Sequence, residues 1–188
     1  MDFDRQKVAG AIRTLLEGLG YDPDSPSLVD TPGRVARMYE EVLRGASHDP
    51  SKVVRVLHGE RYDELVLVKD IPFYSLCEHH LLPFHGRAHV AYIPDGNRIT
   101  GISKLARVVE VHAQRLQVQE RMTRDIADTL MRALEPKGVM VMVEAEHLCM
   151  TMRGVKKPGS ITITNVVRGL FRENAATRSE AMALIEGG

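Results

Sequence analysis

The sequence predicts an α+β fold built on an antiparallel sheet. Three observations carry that prediction. Helical stripes of apolar residues fill the N-terminal stretch and recur between residues 103 and 134. Four stretches of alternating or β-branched residues come as two pairs, one on each side of that second helical region. The chain has 188 residues, 44% hydrophobic and 27% charged, enough for one domain with a core and short for two. Strands arranged in hairpin pairs around two helices point to antiparallel pairing.

Taken in order, residues 4–19 put Val8, Ile12, Leu15, Leu16 and Leu19 on one helical face, and Gly20 is a stop signal. The stretch "YDPDSPS" (21–27) is a turn-rich linker. A second helix follows in "DTPGRVARMYEEVLRG", with Thr31 expected as N-cap, Pro32 at the first helical position and Gly45 as terminator. Residues 64–71 and 86–93 read as strands, with "PDGN" turning after the second. Residues 103–116 and 119–134 read as helices. Valines and alternation make 138–150 a strand, "KKPG" a turn, and 160–167 a further strand. A short helix over 177–186 ends the chain. No internal repeat or low-complexity tract interrupts this order.

Composition excludes several classes. Lysine plus arginine balances aspartate plus glutamate at 25 each, which argues against a nucleic-acid binder. No apolar run approaches a membrane span, and the charged start "MDFDRQKVAG" lacks the apolar region of a signal peptide. A cytoplasmic protein is expected. There, two cysteines are expected to be metal ligands or redox groups rather than a disulfide.

One cysteine lies in "CEHHLLPF" (77–84), the other in "EHLCM" (146–150). On an extended strand, His147 and Cys149 continue the face of Val139, Val141, Val143 and Ala145, so a core stripe ends in an imidazole and a thiol. In a tight turn near Pro83, Cys77 and His80 converge as a half-site, and Cys149 supplies a third ligand. Three ligands leave one corner of a tetrahedral zinc for water, the catalytic pattern; the alternative is a closed site with His147 or His79 as fourth ligand. Two thiolates offset the charge of the metal and acidify water less than three histidines would. His79 and His147 flank the ligands and are free to act as acid or base. His85, His89 and His112 have no such partners in the sequence and are expected in packing or on the surface.

The motifs "TPGRVARMYEE" (31–41), "VKDIPFYSLCEHHLLPFHGRAHVAYIP" (68–94), "GISKLARVVEV" (101–111), "RLQVQERMTRDIA" (115–127), "EHLCMTMRGV" (146–155) and "GLFR" (169–172) stand in one order along the chain. In these the sequence resembles the GTP cyclohydrolase I family. The resemblance implies a tunnelling fold: an antiparallel four-stranded sheet and two long helices per subunit, closed into a barrel by oligomerisation. It implies an N-terminal helical region, 1–60, a tunnelling-fold catalytic domain, 61–188, and a homodecamer with sites at subunit boundaries. The implied reaction converts GTP and water to 7,8-dihydroneopterin triphosphate and formate, the first step of pterin and tetrahydrofolate biosynthesis.

Carried over by motif, Cys77, His80 and Cys149 match the zinc ligands. His79 and His147 match the acid/base histidines, with His147 expected as the acid at purine N7. Glu120 matches the carboxylate that reads guanine, and Gln119 its neighbour in that pocket. Ser103, Lys104, Arg107 and Arg153 match residues around the ribose and triphosphate, Ser103 also being a proton relay. Arg34 and Arg37 match a clamp on the triphosphate from an adjacent subunit; Arg37 stands where some relatives have lysine.

Overall fold

The computed structural model describes residues 2–59 and 61–187. Helix α1 (Arg5–Gly18) starts at Asp4, whose carboxylate accepts from the Lys7 N–H. Helix α2 (Thr31–Val42) packs against it. Its cap is Asp30 rather than Thr31, which already sits inside the first turn, and it ends three residues before Gly45. Two 3₁₀ turns, Arg44–Ser47 and Pro50–Val53, lead to strand β1 (Val56–His58).

The sheet begins with β2 (Val66–Cys77) and β3 (Pro83–Ile93), both longer than the sequence suggests. A bulge between Val68 and Ile71, with Asp70 at φ 58°, breaks the alternation and hides the continuity of β2. Pro72 is tolerated because the far edge of β2 is unpaired there. Strand β4 (Arg98–Thr100) pairs with β1, and α3 (Ile102–Ala113) follows. A two-residue strand, β5 (Leu116–Gln117), lies parallel to Leu76 and Cys77. Helix α4 (Gln119–Leu134) then leads to β6 (Gly138–His147). A single turn, α5 (Leu148–Thr151), precedes β7 (Ile161–Gly169); α6 (Leu170–Glu173) and α7 (Ala175–Glu186) close the chain.

The order across the sheet is β5-β2-β3-β6-β7, and the four long strands are antiparallel. Helices α3 and α4 cover one face, where Val90, Tyr92, Leu105, Val109, Met122 and Val141 are fully buried or nearly so. Helix α7 covers part of the other face over Ala91, Met140 and Met142. Gly86 is required where β3 meets β6, because a Cβ there would sit 1.8 Å from the Glu144 carbonyl oxygen. Among the described residues no helix is long and apolar enough to cross a membrane.

Two expectations fail at the ends of elements. Cys149 is not on a strand. The β3–β6 ladder ends at the pair Phe84–His147, and the next residue on β3 would be Pro83, which has no N–H to offer. The chain therefore turns into α5, and Cys149 reaches the core rim from a helical turn. The helix expected over 103–116 also ends early: α3 runs from Ile102, with Gly101 as its N-cap, to Ala113. The boundary expected at residue 60 falls outside the described residues.

Candidate active site

The site forms where β2, β3 and β6 end together. After Cys77 the chain reverses: the Leu81 N–H donates to the Cys77 carbonyl and the Cys77 N–H to the Leu82 carbonyl, with Leu81 at φ 55°. That turn brings His80 back over Cys77. Because His147 ends the neighbouring strand, α5 delivers Cys149 to the same place. One ligand atom from each of Cys77, His80 and Cys149 lies within 4.8 Å of the others. Among the described residues no fourth His, Cys, Asp or Glu joins them. Burial raises the Cys149 thiol pKa above its usual value, and the nearby Cys77 sulfur raises it further. Two sulfurs at this range repel as thiolates, and a cation relieves that repulsion. The donor set suits a soft or borderline metal such as zinc.

His147 is held on two sides. Its ring lies parallel to Phe84, with centroids 4.6 Å apart. Its Nε2 is 2.7 Å from Gln119 Oε1. The Gln119 amide, itself buried, donates from Nε2 to the Val143 and Thr162 carbonyls, each at 3.0 Å, and to Thr164 Oγ1 at 3.1 Å. Carbonyls only accept, so the amide nitrogen must face them and Oε1 must face His147. His147 Nε2 therefore carries a hydrogen, and Nδ1 is the ring atom left for other partners. Burial lowers the His147 pKa, partly countered by the charge of Glu120.

The sequence-identified residues divide into two groups. His79 Nδ1 lies 3.7 Å from Cys77 Sγ, and Arg153 Nη1 lies 3.2 Å from His80 Nε2. Gln119 and Glu120 open α4 beside His147, Glu120 being exposed. The other group is not brought together with the thiols. The C-terminal end of α3 adjoins the site, since Ser75 Oγ donates to the Ala113 carbonyl at 2.7 Å. Ser103 and Lys104 lie at the opposite end, about 15 Å away at 1.5 Å per helical residue. Lys104 and Arg107 line a cleft of about 370 Å³ with Arg44, His48 and Lys52. Arg34 pairs with Asp30 at 3.0 Å on the exposed surface of α2, one turn before Arg37. Two residues have roles that the motifs did not suggest: Phe84 as the platform for His147, and Arg121 as a donor to Glu78, in the turn that carries the histidines. The alternation of β3, which turns Phe84 to the face of Ala88 and Val90, was the available signal for the first.

The profile of the GTP cyclohydrolase I family matches residues 8–186. "GTP cyclohydrolase 1" of Carboxydothermus hydrogenoformans is 62% identical over 182 residues, covering 97% of this chain and 95% of the relative. That of Pelotomaculum thermopropionicum is 59% identical over 185 residues, with 98% of each chain covered. That of Clostridioides difficile is 58% identical over 183 residues, with 97% and 96% covered. With the ordered motifs and a Cys-His-Cys cluster at the meeting of three strand ends, this similarity over nearly the whole length shows that the chain belongs to the GTP cyclohydrolase I family.

Proposed function

We propose that this protein hydrolyses GTP and rearranges it to 7,8-dihydroneopterin triphosphate and formate, as the first step of a pterin or tetrahydrofolate pathway. The observation that carries the reading is the convergence of Cys77, His80 and Cys149 from distant segments, beside a histidine with one ring nitrogen tied down. These three residues would hold zinc, which supplies Lewis acidity toward water and substrate oxygen at such a donor set.

The chain's own residues do the rest. Guanine presents donors at N1 and N2, and the Glu120 carboxylate accepts both; adenine would leave it unpaired. His147 carries a proton on Nδ1 to purine N7, since its Nε2 hydrogen is committed to Gln119. A pKa lowered by burial makes the protonated ring a readier acid. His79, beside Cys77, moves protons during ring opening and formate release. Arg153 reaches the site from α5's far side, while Ser103, Lys104, Arg107, Arg34 and Arg37 serve ribose and triphosphate.

That division of residues favours a composite site. Ser103 and Lys104 lie too far along α3 to meet substrate at their own chain's thiols, and Glu120 is exposed in a single chain. Neighbouring subunits in a homo-oligomer of the tunnelling type, a decamer in this reading, would join one chain's basic helix to another's thiols and cover Glu120. The sheet supplies β7 and most of β2 as unpaired edges for closing such a barrel. The helical region 1–60 is then an extension on the catalytic domain, 61–188. Paired free thiols suit a reducing cytoplasm.

The test is incubation with GTP, with and without a chelator, followed by assay of formate and of fluorescent pterin after oxidation. Formate release that is lost on chelation and restored by zinc is expected, together with its loss in Cys149→Ser. A zinc-loaded protein that releases no formate refutes the proposal.

A further inference from the structure

Arg121, in the first turn of α4, donates Nε to Gln117 Oε1 at 3.0 Å. Its Nη2 donates to the Leu116 carbonyl at 2.9 Å and to Glu78 Oε2. All three partners belong to the seam that carries Cys77. Leu116 and Gln117 pair with Leu76 and Cys77, and the Glu78 N–H donates to the Gln117 carbonyl at 3.0 Å. Gln117 is itself anchored, with Nε2 donating to the His112 carbonyl at 2.9 Å. One guanidinium thus ties the turn bearing Cys77, His79 and His80 to the helix start bearing Gln119 and Glu120.

Stability does not account for this arrangement. Both side chains are about one-third exposed, at 35% and 34%, and an ion pair in that setting adds little to folding. What the contacts do fix is geometry. The planar fork of arginine reaches a side-chain oxygen, a carbonyl and a carboxylate at once, which a lysine ammonium on a flexible stem does not reproduce. Glu78 is next to Cys77 in the chain, so a displacement of its carboxylate moves the turn that positions His79 and His80.

We infer that Arg121 and Glu78 form a positioning brace that sets the metal-holding turn against the guanine-reading end of α4. Neither residue touches substrate. The inference rests on the ligand reading given above. Partners that orient metal ligands typically change metal retention or activity by about 10–100-fold when removed.

The test uses the full-length protein with Glu78→Gln, Arg121→Lys and the double variant, and Arg124→Gln as a control that removes an outward-facing charge on the same helix. Zinc release to a colorimetric chelator, kcat and KM for GTP, thermal midpoint and assembled size are measured. Each single variant is expected to release zinc about 10–100-fold faster and to lose kcat by a similar factor. The thermal midpoint should move by less than ~4 °C. The double variant should lose no more than the worse single one, because the two side chains act as one unit. Glu78→Gln keeps the shape of the side chain, so it tests the idea even if an Arg121 variant fails to fold. Zinc release and kcat within twofold of the parent in both single variants would overturn the brace, as would losses that multiply in the double variant. A parent protein that retains no zinc would instead overturn the ligand reading itself.

Discussion

Replacing Gln119 with methionine separates two roles for that residue. The family resemblance puts Gln119 in the guanine pocket, yet its amide is already used in full: two Nε2 hydrogens shared among Val143, Thr162 and Thr164, and Oε1 accepting from His147. Methionine fills nearly the same volume and removes both donated hydrogens and the acceptor. At about 1 kcal/mol for each of these three neutral groups, the gross loss is about 3 kcal/mol. Two things reduce it. Thr164 Oγ1 keeps Thr123 Oγ1 at 2.7 Å as a partner, and the apolar side chain gains about 1 kcal/mol or more from burial. A net destabilisation of about 2 kcal/mol follows, which a domain of ordinary stability survives. His147 stays stacked on Phe84 but loses the acceptor that fixes its Nε2 hydrogen, so kcat should fall by roughly 10- to 100-fold while KM for GTP stays within about threefold. Urea denaturation and formate-release kinetics measure both quantities. A rise in KM with kcat preserved would show Gln119 reading guanine and refute the positioning argument. Unchanged stability would refute the hydrogen-bond account.

Two further predictions concern folding. Burial and the nearby Arg115 lower the His112 pKa from 6.5 to about 4, and its Nδ1 has no partner while Nε2 meets Thr129 Oγ1 at 2.9 Å. Between those values the unfolded chain binds a proton that the folded chain does not. Stability is therefore complete above pH 6.5 and falls as pH drops toward 4, by about 3 kcal/mol from this group. Urea midpoints at pH 7 and pH 5 should show that slope, and it should shrink in His112→Asn. Gly86→Ala puts a methyl 1.8 Å from the Glu144 carbonyl, an overlap that no side-chain rotation relieves. A loss of about 3 kcal/mol or more, seen as a lowered thermal midpoint or insoluble protein, is expected; a midpoint within 2 °C of the parent would contradict the close approach.

Much of this protein was legible locally. The period of α4 reports one buried face, and the valines of β6 report a strand with a core on each side, without knowledge of neighbours; the stripe from Val8 to Leu19 reports the helix α1, although no residue of it is fully buried in the single chain. The two cysteine motifs were legible because thiols and imidazoles are few and their spacing suits a turn. Element ends were not, because they depend on partners. β2 runs on to Cys77 because β3 and β5 receive it, and β6 stops at His147 because Pro83 cannot extend the ladder. His89 and His112 looked alike in sequence and are both buried, one on each face of the sheet's surroundings.

By itself, then, the sequence determined the helices, the strand pairs and the chemical types available for a metal and an acid, since these follow from side-chain period and composition. Only the tertiary structure decided that Cys149 arrives on a helical turn, that Gln119 commits one nitrogen of His147, and that Ser103 and Lys104 stand about 15 Å along α3 from the end that adjoins the site. Distances and hydrogen-bond directions between segments far apart in sequence arise from packing, and no local pattern encodes them.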